Sequence, residues 1–272
     1  MTNRTIRLQI VLVLFTLALQ ACSAASTPAS EAAPPAEANE TVTEAAVLPT
    51  DTTEAPTAAP AQPAACDNQY MPVVAGATWS YKLSGPVPDT YVHTVLAVNE
   101  NGFTEQDLFA SGVSRQGEWV CEKGNLLAMN PPSGSSGSVS SEDVQVDFKT
   151  TEKSGYTLPA TLATGDTWSQ TLTLEGTQTI SGTVYPARNQ MTYDCKALGI
   201  ESVTVEAGTF DAMRVECKIV MNISITVAGS ETGTTLNLTG TNWYVENTGM
   251  VKNLTTGLGF DTVTELVAYN IP

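Results

Sequence analysis

Apolar and polar residues alternate along much of the second half of the chain. In the longest run, every second residue from Met213 to Val227 is apolar and the residues between are mostly polar. A period of two over fifteen positions predicts a long β-strand with one buried face. Shorter runs with the same period predict strands at 144–148 and 167–174. No convincing helical pattern appears.

Glycine-containing turn signals separate these runs, and the polar stretch 128–143 predicts a loop. The signals are Asn101-Gly102, Gly117, Gly124-Asn125, Glu175-Gly176, Gly229 to Gly233, Thr248-Gly249 and Gly257. Short connections between roughly a dozen strands favour an all-β antiparallel meander. Because open sheet edges invite aggregation, we expect the meander to form a curved half-barrel, an open barrel or a sandwich.

The N-terminal stretch has the features of a secretory signal. Arg4 and Arg7 precede an apolar run, Leu8–Leu19, that is too short to span a bilayer core of about 30 Å. The residues Leu19-Gln20-Ala21-Cys22 resemble the lipobox of bacterial lipoproteins, which implies lipid attachment at Cys22 after removal of residues 1–21 as a signal peptide. The alternative is an ordinary signal peptide with an incidental cysteine.

Residues 22–65 have the composition of a disordered tether. After Cys22 they contain 15 Ala, 7 Pro and 10 Ser or Thr, without an aromatic residue, Lys or Arg. Such a segment buries too little apolar surface to offset its ordering entropy. It is a plain spacer or a glycosylated stalk. Residues 66–272 then form a single β domain.

The cysteine count agrees with export to an oxidising compartment. Setting Cys22 aside leaves an even set, Cys66, Cys121, Cys195 and Cys217, which predicts two disulfides. Three pairings are open, and we favour the two sequence-local ones, Cys66 with Cys121 and Cys195 with Cys217. The chain has no C-x-x-C, so the spacing does not indicate a zinc or redox site.

Charge narrows the choice of partners. Residues 66–272 carry 10 Lys and Arg against 22 Asp and Glu. This acidic balance argues against nucleic acid and against peripheral binding to anionic lipid. Membrane contact is therefore expected through the lipid anchor alone. The protein, glycan or hydrophobic ligand that the domain binds stays open.

Tryptophan follows a glycine turn in the phrases GATWS at 76–80 and GDTWS at 165–169, with a looser echo, GTNWY, at 240–244. The phrases indicate an internal duplication, or bulky residues that close the end of a core. A third interpretation places Trp79, Tyr81, Trp168 and Trp243 in the wall of an apolar pocket.

Three blocks carry a family resemblance: YMPVVAGATWSY, VTVEAGTFDAMRVE and NWYVENTGMVK. They resemble recurring blocks of the uncharacterised TapB-like lipoproteins of the bacterial envelope. The resemblance implies a mainly antiparallel β fold and supplies no catalytic residues. Half-barrels of the LolA/LolB type, which carry lipid, are a more distant likeness, and their lid helices have no evident counterpart here.

Catalytic and cofactor motifs are absent from the sequence. His93 is the single histidine, in a predicted strand where it shares a face with Tyr91 and Val95, and we interpret it as structural. No metal or cofactor motif is present. A carboxylate-based hydrolase stays open, because glycosidase pairs are close in space rather than in sequence. We expect a non-catalytic binding or interaction domain; the alternatives are a carrier or sensor of a hydrophobic ligand and a structural envelope protein.

Overall fold

The computed structural model describes residues 64–130, 138–140 and 144–272. The predicted signal peptide, Cys22 and the predicted tether up to residue 63 lie outside the described residues. The described part confirms the all-β prediction, with thirteen strands and one short 3₁₀ turn at Ala64–Cys66. The strands are β1 Thr78–Ser84, β2 Asp89–Asn99, β3 Gly102–Phe109, β4 Ser114–Glu122, β5 Asn125–Asn130, β6 Ser138–Ser140, β7 Val144–Gly155, β8 Thr167–Ile180, β9 Thr183–Val205, β10 Gly208–Val227, β11 Ser230–Val245, β12 Gly249–Thr256 and β13 Thr262–Asn270.

All thirteen strands belong to one nearly closed, barrel-shaped antiparallel sheet. Most pair with their neighbours along the chain, as in the predicted meander, and β1 pairs with β13 so that the two ends of the meander meet. A pairing of β3 with β4 and short ladders through β6 complete the ring. The fifth strand pairs with β4 beside the ring.

Strand length divides the sheet into two parts. At about 3.3 Å per residue, the 20 residues of β10 extend for about 65 Å, whereas the 7 residues of β1 extend for about 23 Å. The long strands β7 to β11 therefore continue beyond the short ones. We call their continuation, residues 144–150, 172–180, 183–193, 219–227 and 230–238, the distal sheet. It ends in tight hairpins such as Ala228-Gly229, whose φ angles of 50° and 78° suit a type I′ turn.

The two parts have separate apolar cores. The main core lies inside the ring and includes Tyr70, Val73, Trp79, Phe103 and both disulfides. The second core lies on one face of the distal sheet, where it includes Phe148, Leu172, Leu174, Met191, Met221 and Ile225. Alternate residues of β10, from Met213 to Ile225, supply both cores, as the period of two predicts.

Four local predictions differ from the structure. Gly117, Gly176 and Gly233, predicted in turns, lie inside β4, β8 and β11. A Cβ on Gly176 would lie 1.9 Å from the carbonyl oxygen of Asp147, so this glycine permits close pairing of β7 and β8 rather than a turn. The predicted loop 128–143 includes the end of β5 and the whole of β6, because a polar composition does not prevent a short strand from pairing with a neighbour.

Candidate functional site

The four aromatic residues of the predicted pocket pack in or against the main core. Trp79, Tyr81 and Trp243 are buried, and Trp168 is partly buried. Trp79 Nε1 donates a hydrogen bond to the carbonyl oxygen of Thr248 over 2.6 Å, and the Tyr81 hydroxyl donates one to the carbonyl oxygen of Met250 over 2.7 Å. These contacts favour the core-closing interpretation, and the pocket stays a prediction.

The structure joins the four cysteines in the sequence-local pairs that we favoured. Cys195 and Cys217 lie directly opposite each other on β9 and β10, with their Cα atoms 4.0 Å apart. Cys66 is bonded to Cys121 of β4 across 55 residues of sequence. Both disulfides are inside the main core, so they cross-link the chain on the buried side of the sheet.

A cluster of charged residues inside the ring is the strongest candidate for titration chemistry. His93 of β2 lies directly opposite Asp107 of β3, and Asp107 lies directly opposite Arg115 of β4. His93 Nδ1 donates a hydrogen bond to Asp107 Oδ1 over 2.8 Å, and Nε2 lies 3.4 Å from Glu105 Oε2. We call His93, Glu105, Asp107 and Arg115 the ion cluster.

Burial gives the ion cluster its electrostatic character. The side chain of Glu105 is 1% exposed and that of His93 is 14% exposed. The His93 ring lies 5.5 Å from the Trp79 ring, and the guanidinium carbon of Arg115 lies 4.6 Å from the centre of the Phe109 ring. Aromatic side chains therefore replace much of the water that would otherwise solvate these charges, which strengthens their mutual attraction and makes an unpaired charge costly.

The pKa values follow from this environment. Burial raises the pKa of Glu105 to about 7, against the attraction of the neighbouring His93. Burial lowers the pKa of His93, but the charge of Glu105 and the hydrogen bond to Asp107 outweigh it, so the pKa is raised above its ordinary value. The two neighbouring acidic groups therefore favour the protonated form of the imidazole.

The arrangement can bind protons, and its groups are engaged with one another. Both ring nitrogens of His93 already face a carboxylate, so a protonated His93 offers no free base, and no Ser or Cys belongs to the cluster. Within residues 64–130, 138–140 and 144–272, no group of three or more His, Cys, Asp or Glu side chains is arranged to hold a metal ion. No helix in the described part of the chain is long and apolar enough to cross a membrane.

We expect the domain to lose stability as the pH rises from 5 to 8. The Glu105 carboxyl titrates at 4.5 without the fold and at about 7 within it, so its contribution is complete below 4.5 and is lost as the pH rises through 7. The raised pKa of His93 acts in the same direction, since its contribution is complete below 6.5 and is lost above the folded value. The expected loss is on the order of 2 kcal/mol.

Urea unfolding of the parent and of a Glu105→Gln variant, at pH 5 and pH 8, measures this dependence. The variant should have a flatter profile, because its amide does not titrate. A parent stability that rises between these pH values, or a variant with the same slope, would contradict the expectation.

The distal sheet presents an open edge on β11. Residues Ser230–Leu238 pair with β10 on one side, and the ladder between β11 and β12 begins only at Thr239. A Cβ on Gly257 would lie 2.5 Å from the carbonyl oxygen of Asn237, so the chain after β12 passes close to residues 237–238. Ser230–Leu236 thus have no strand partner on their outer side among the described residues. We call them the distal edge.

A polar groove of about 400 Å³ lies beside the distal edge. Its lining includes Arg188, Gln190, Asn222, Glu231, Thr234 and Thr235. Arg188 Nε is 3.2 Å from Glu175 Oε1, and the Thr235 hydroxyl donates to Asn222 Oδ1 over 2.7 Å. Glu231 has no ion-pair partner in the described part of the chain, so its carboxylate is the uncompensated charge of the groove.

Sequence reasoning found His93 but not its partners or the distal edge. Phe103, Glu105, Asp107 and Phe109 alternate in the segment FTEQDLF and share one buried face of β3. This shared parity was a usable signal, because two carboxylates in phase with two phenylalanines indicate acids that point into a core. The open edge has no such signal, since it depends on where the neighbouring strand β12 ends.

The DUF3108-like family model matches residues 113–256, more than half of the chain. The chain belongs to the DUF3108-like family. The matched segment runs from the start of β4 to the end of β12, so it includes the distal sheet, Arg115 and one complete disulfide, Cys195–Cys217. Among proteins of curated function, none matches the sequence significantly.

Three solved structures are similar to this chain. A Bacteroides fragilis protein, described as a candidate exported protein with a YmcC-like fold, is 16% identical, with a TM-score of 0.49 over 75% of this chain and 100% of that one. A candidate lipoprotein of Parabacteroides distasonis is 18% identical, with a TM-score of 0.46 over the same shares. The hypothetical lipoprotein YmcC of Escherichia coli is 9% identical, with a TM-score of 0.36 over 72% of this chain and 85% of that one.

Proposed function

We propose that this DUF3108-like protein is an extracytoplasmic lipoprotein, anchored through Cys22 and related to the TapB-like envelope lipoproteins. Residues 1–21 serve as the signal peptide, 22–65 as a flexible tether and 66–272 as one folded domain. The lipobox-like sequence at 19–22 supports the anchor. The two disulfides support export, since disulfides persist in oxidising compartments and Cys22 is the one cysteine outside them.

The folded domain acts as a non-catalytic binding module. The observation that carries this proposal is the distal edge beside its polar groove: hydrogen-bonding groups on an exposed strand and a 400 Å³ groove lie together at the end of the long strands. The charges of the ion cluster, by contrast, are engaged with one another inside the ring. Binding is therefore assigned to the distal sheet, and the ion cluster stabilises the ring.

A carrier of a hydrophobic ligand is the second candidate. Inside the ring, Trp79, Tyr81 and Phe103 are each at most 5% exposed, so this part of the interior is filled by side chains. The second core instead has partly exposed apolar residues, Ile219, Ile223 and Leu236. Displacement of a fluorescent fatty acid, weakened by Leu236→Gln and unchanged by Val92→Gln on the outer face of the ring, would favour the carrier.

Replacing Cys22 by Ala is expected to abolish lipid attachment. The thioether needs the cysteine sulfur, so the variant should incorporate no radiolabelled palmitate and should lose lipid-dependent retention in the membrane fraction. The neighbouring Ser23→Ala variant is the matched control and should be labelled as the parent is. Palmitate incorporation that survives Cys22→Ala would refute the anchor.

A further inference from the structure

The distal edge has few of the devices that usually protect an exposed strand. Natural sheets guard their edges with charged side chains, proline or bulges. Within the distal edge, Glu231 is the one charged side chain, residues 232–236 contain no charge and no proline, and the pairing of β10 with β11 is without a bulge. On the opposite side of the distal sheet, β7 carries Asp147 and Lys149 and pairs with the short strand β6 at residues 145–146. The β7 edge is thus partly covered and charged, whereas the distal edge has the single charge of Glu231.

The backbone geometry of the distal edge favours a binding partner in extended conformation. Seven consecutive residues hold strand geometry, and alternate residues direct their N–H and C=O groups away from β10. An added chain in extended conformation can pair with such a row at strand spacing, in place of water. Its side chains would alternate between the polar groove, beside Glu231 and Thr235, and the apolar face, beside Leu236.

The net charge of the domain indicates which kind of extended chain would bind to the distal edge. Residues 66–272 have 22 acidic against 10 basic residues, so two copies of the domain repel each other. Pairing of two seven-residue edges would also bury far less than the roughly 1,200 Å² of a stable interface. The protein's own segment 23–65 contains 6 acidic residues and neither Lys nor Arg, so the acidic domain repels it as well. A basic segment is attracted both by the negative net charge of the domain and by the uncompensated carboxylate of Glu231.

We infer that the distal edge, Ser230–Leu236, binds an extended, Lys- or Arg-bearing peptide segment of another protein by addition of a strand to the sheet. This inference rests on the proposed function and names the partner class of that module. Main-chain hydrogen bonds to β11 supply affinity, and a basic side chain in the polar groove pairs with Glu231. Apolar side chains of the segment extend the second core past β11.

The probe is a synthetic peptide, acetyl-Lys-Val-Thr-Val-Lys-Val-Thr-amide, which places Lys and Thr on one face and Val on the other. Binding is measured by interferometry to the full chain in phosphatidylcholine nanodiscs, with empty nanodiscs as the blank. We expect saturable binding. Consecutive N–H groups of an extended strand point to opposite sides, so two methylated peptides of unchanged charge are compared, one methylated on the three Val nitrogens and one on the second Lys and both Thr nitrogens. The peptide whose methyl groups face β11 should bind at least tenfold more weakly because it loses main-chain hydrogen bonds.

Variants of the protein locate the site. Glu231→Lys should weaken binding about fivefold, whereas Glu118→Lys, at an exposed position of β4, is the matched control and should bind as the parent does. Thr234→Pro and Thr235→Pro form a pair: consecutive N–H groups point to opposite sides, so one proline faces the open edge and leaves the ladder with β10 intact. The variant that keeps the parent's unfolding curve should lose at least tenfold in affinity.

Several outcomes would overturn the inference. Binding of both methylated peptides as tight as that of the unmethylated peptide would exclude strand addition. Equal binding of a peptide with Glu in place of Lys would exclude the charge preference. A concentration-dependent dimer that the stable proline variant abolishes would make a second copy the occupant. Affinity that rises tenfold on deletion of residues 23–63 would assign the edge to the tether. None of these results depends on palmitate attachment at Cys22. The lipoprotein proposal is therefore tested separately, by the Cys22→Ala variant.

Discussion

Replacing Cys66 and Cys121 together by Ala is expected to lower the free energy of unfolding by about 4 kcal/mol. The bridge closes a 55-residue loop, and loop-closure entropy of this length gives that magnitude. The segment that it fixes is part of the main core, because Asn68 Nδ2 donates to the carbonyl oxygens of Gly124 and Pro159, and Tyr70 and Val73 are buried. Its release would expose apolar surface as well.

Urea denaturation of the double variant, followed by tryptophan fluorescence, measures the loss. The matched control is the Cys195→Ala, Cys217→Ala double variant, whose 22-residue loop gives about 3 kcal/mol. Its two strands stay in register through the long β9–β10 ladder. We therefore expect residues 66–77 to remain protected from proteolysis in the control and to be cut in the Cys66 variant. Equal protection in both would contradict the role assigned to Cys66. Peptide mapping without reduction checks the pairing itself.

The long strands could be predicted from the sequence because their side chains obey a single local rule. From Met213 to Val227, every second residue of β10 is apolar, and this parity places Cys217 on the inward face, where the structure pairs it with Cys195. Local pairing of neighbouring strands then followed from short connections. The meeting of β1 with β13 could not be derived in this way, since it depends on the accumulated twist and curvature of all the strands between them.

Predictions from single residues were wrong where a glycine that allows two strands to approach closely was interpreted as a turn. Gly176 reads as a turn signal beside Glu175, but its neighbour in space is the backbone of Asp147 on another strand. The same limit applies to the candidate site. The sequence identified His93 as the single histidine. Its contact with Glu105 and Asp107 could not be predicted, because it depends on the register between β2 and β3, which local patterns leave undetermined.

Replacing His93 by Leu is expected to lower the free energy of unfolding by about 3 kcal/mol at pH 7.5. Leucine keeps apolar volume beside Trp79, so the main effect is electrostatic. The variant leaves the carboxylates of Glu105 and Asp107 inside the ring without the cation between them, and removing one partner of a buried ion pair has a cost of this order. Arg115, opposite Asp107, offsets only part of the loss.

The loss should shrink at pH 5, because the pKa of Glu105 is already raised to about 7 and removal of the imidazolium raises it further, so the carboxyl is then neutral. A second substitution, Glu105→Leu, should restore more than half of the lost stability at pH 7.5, whereas Glu118→Leu, at an exposed position of β4, should not. Denaturant unfolding at both pH values measures all four proteins. A loss that is the same at pH 5 and pH 7.5 would show that His93 stabilises the ring by packing alone.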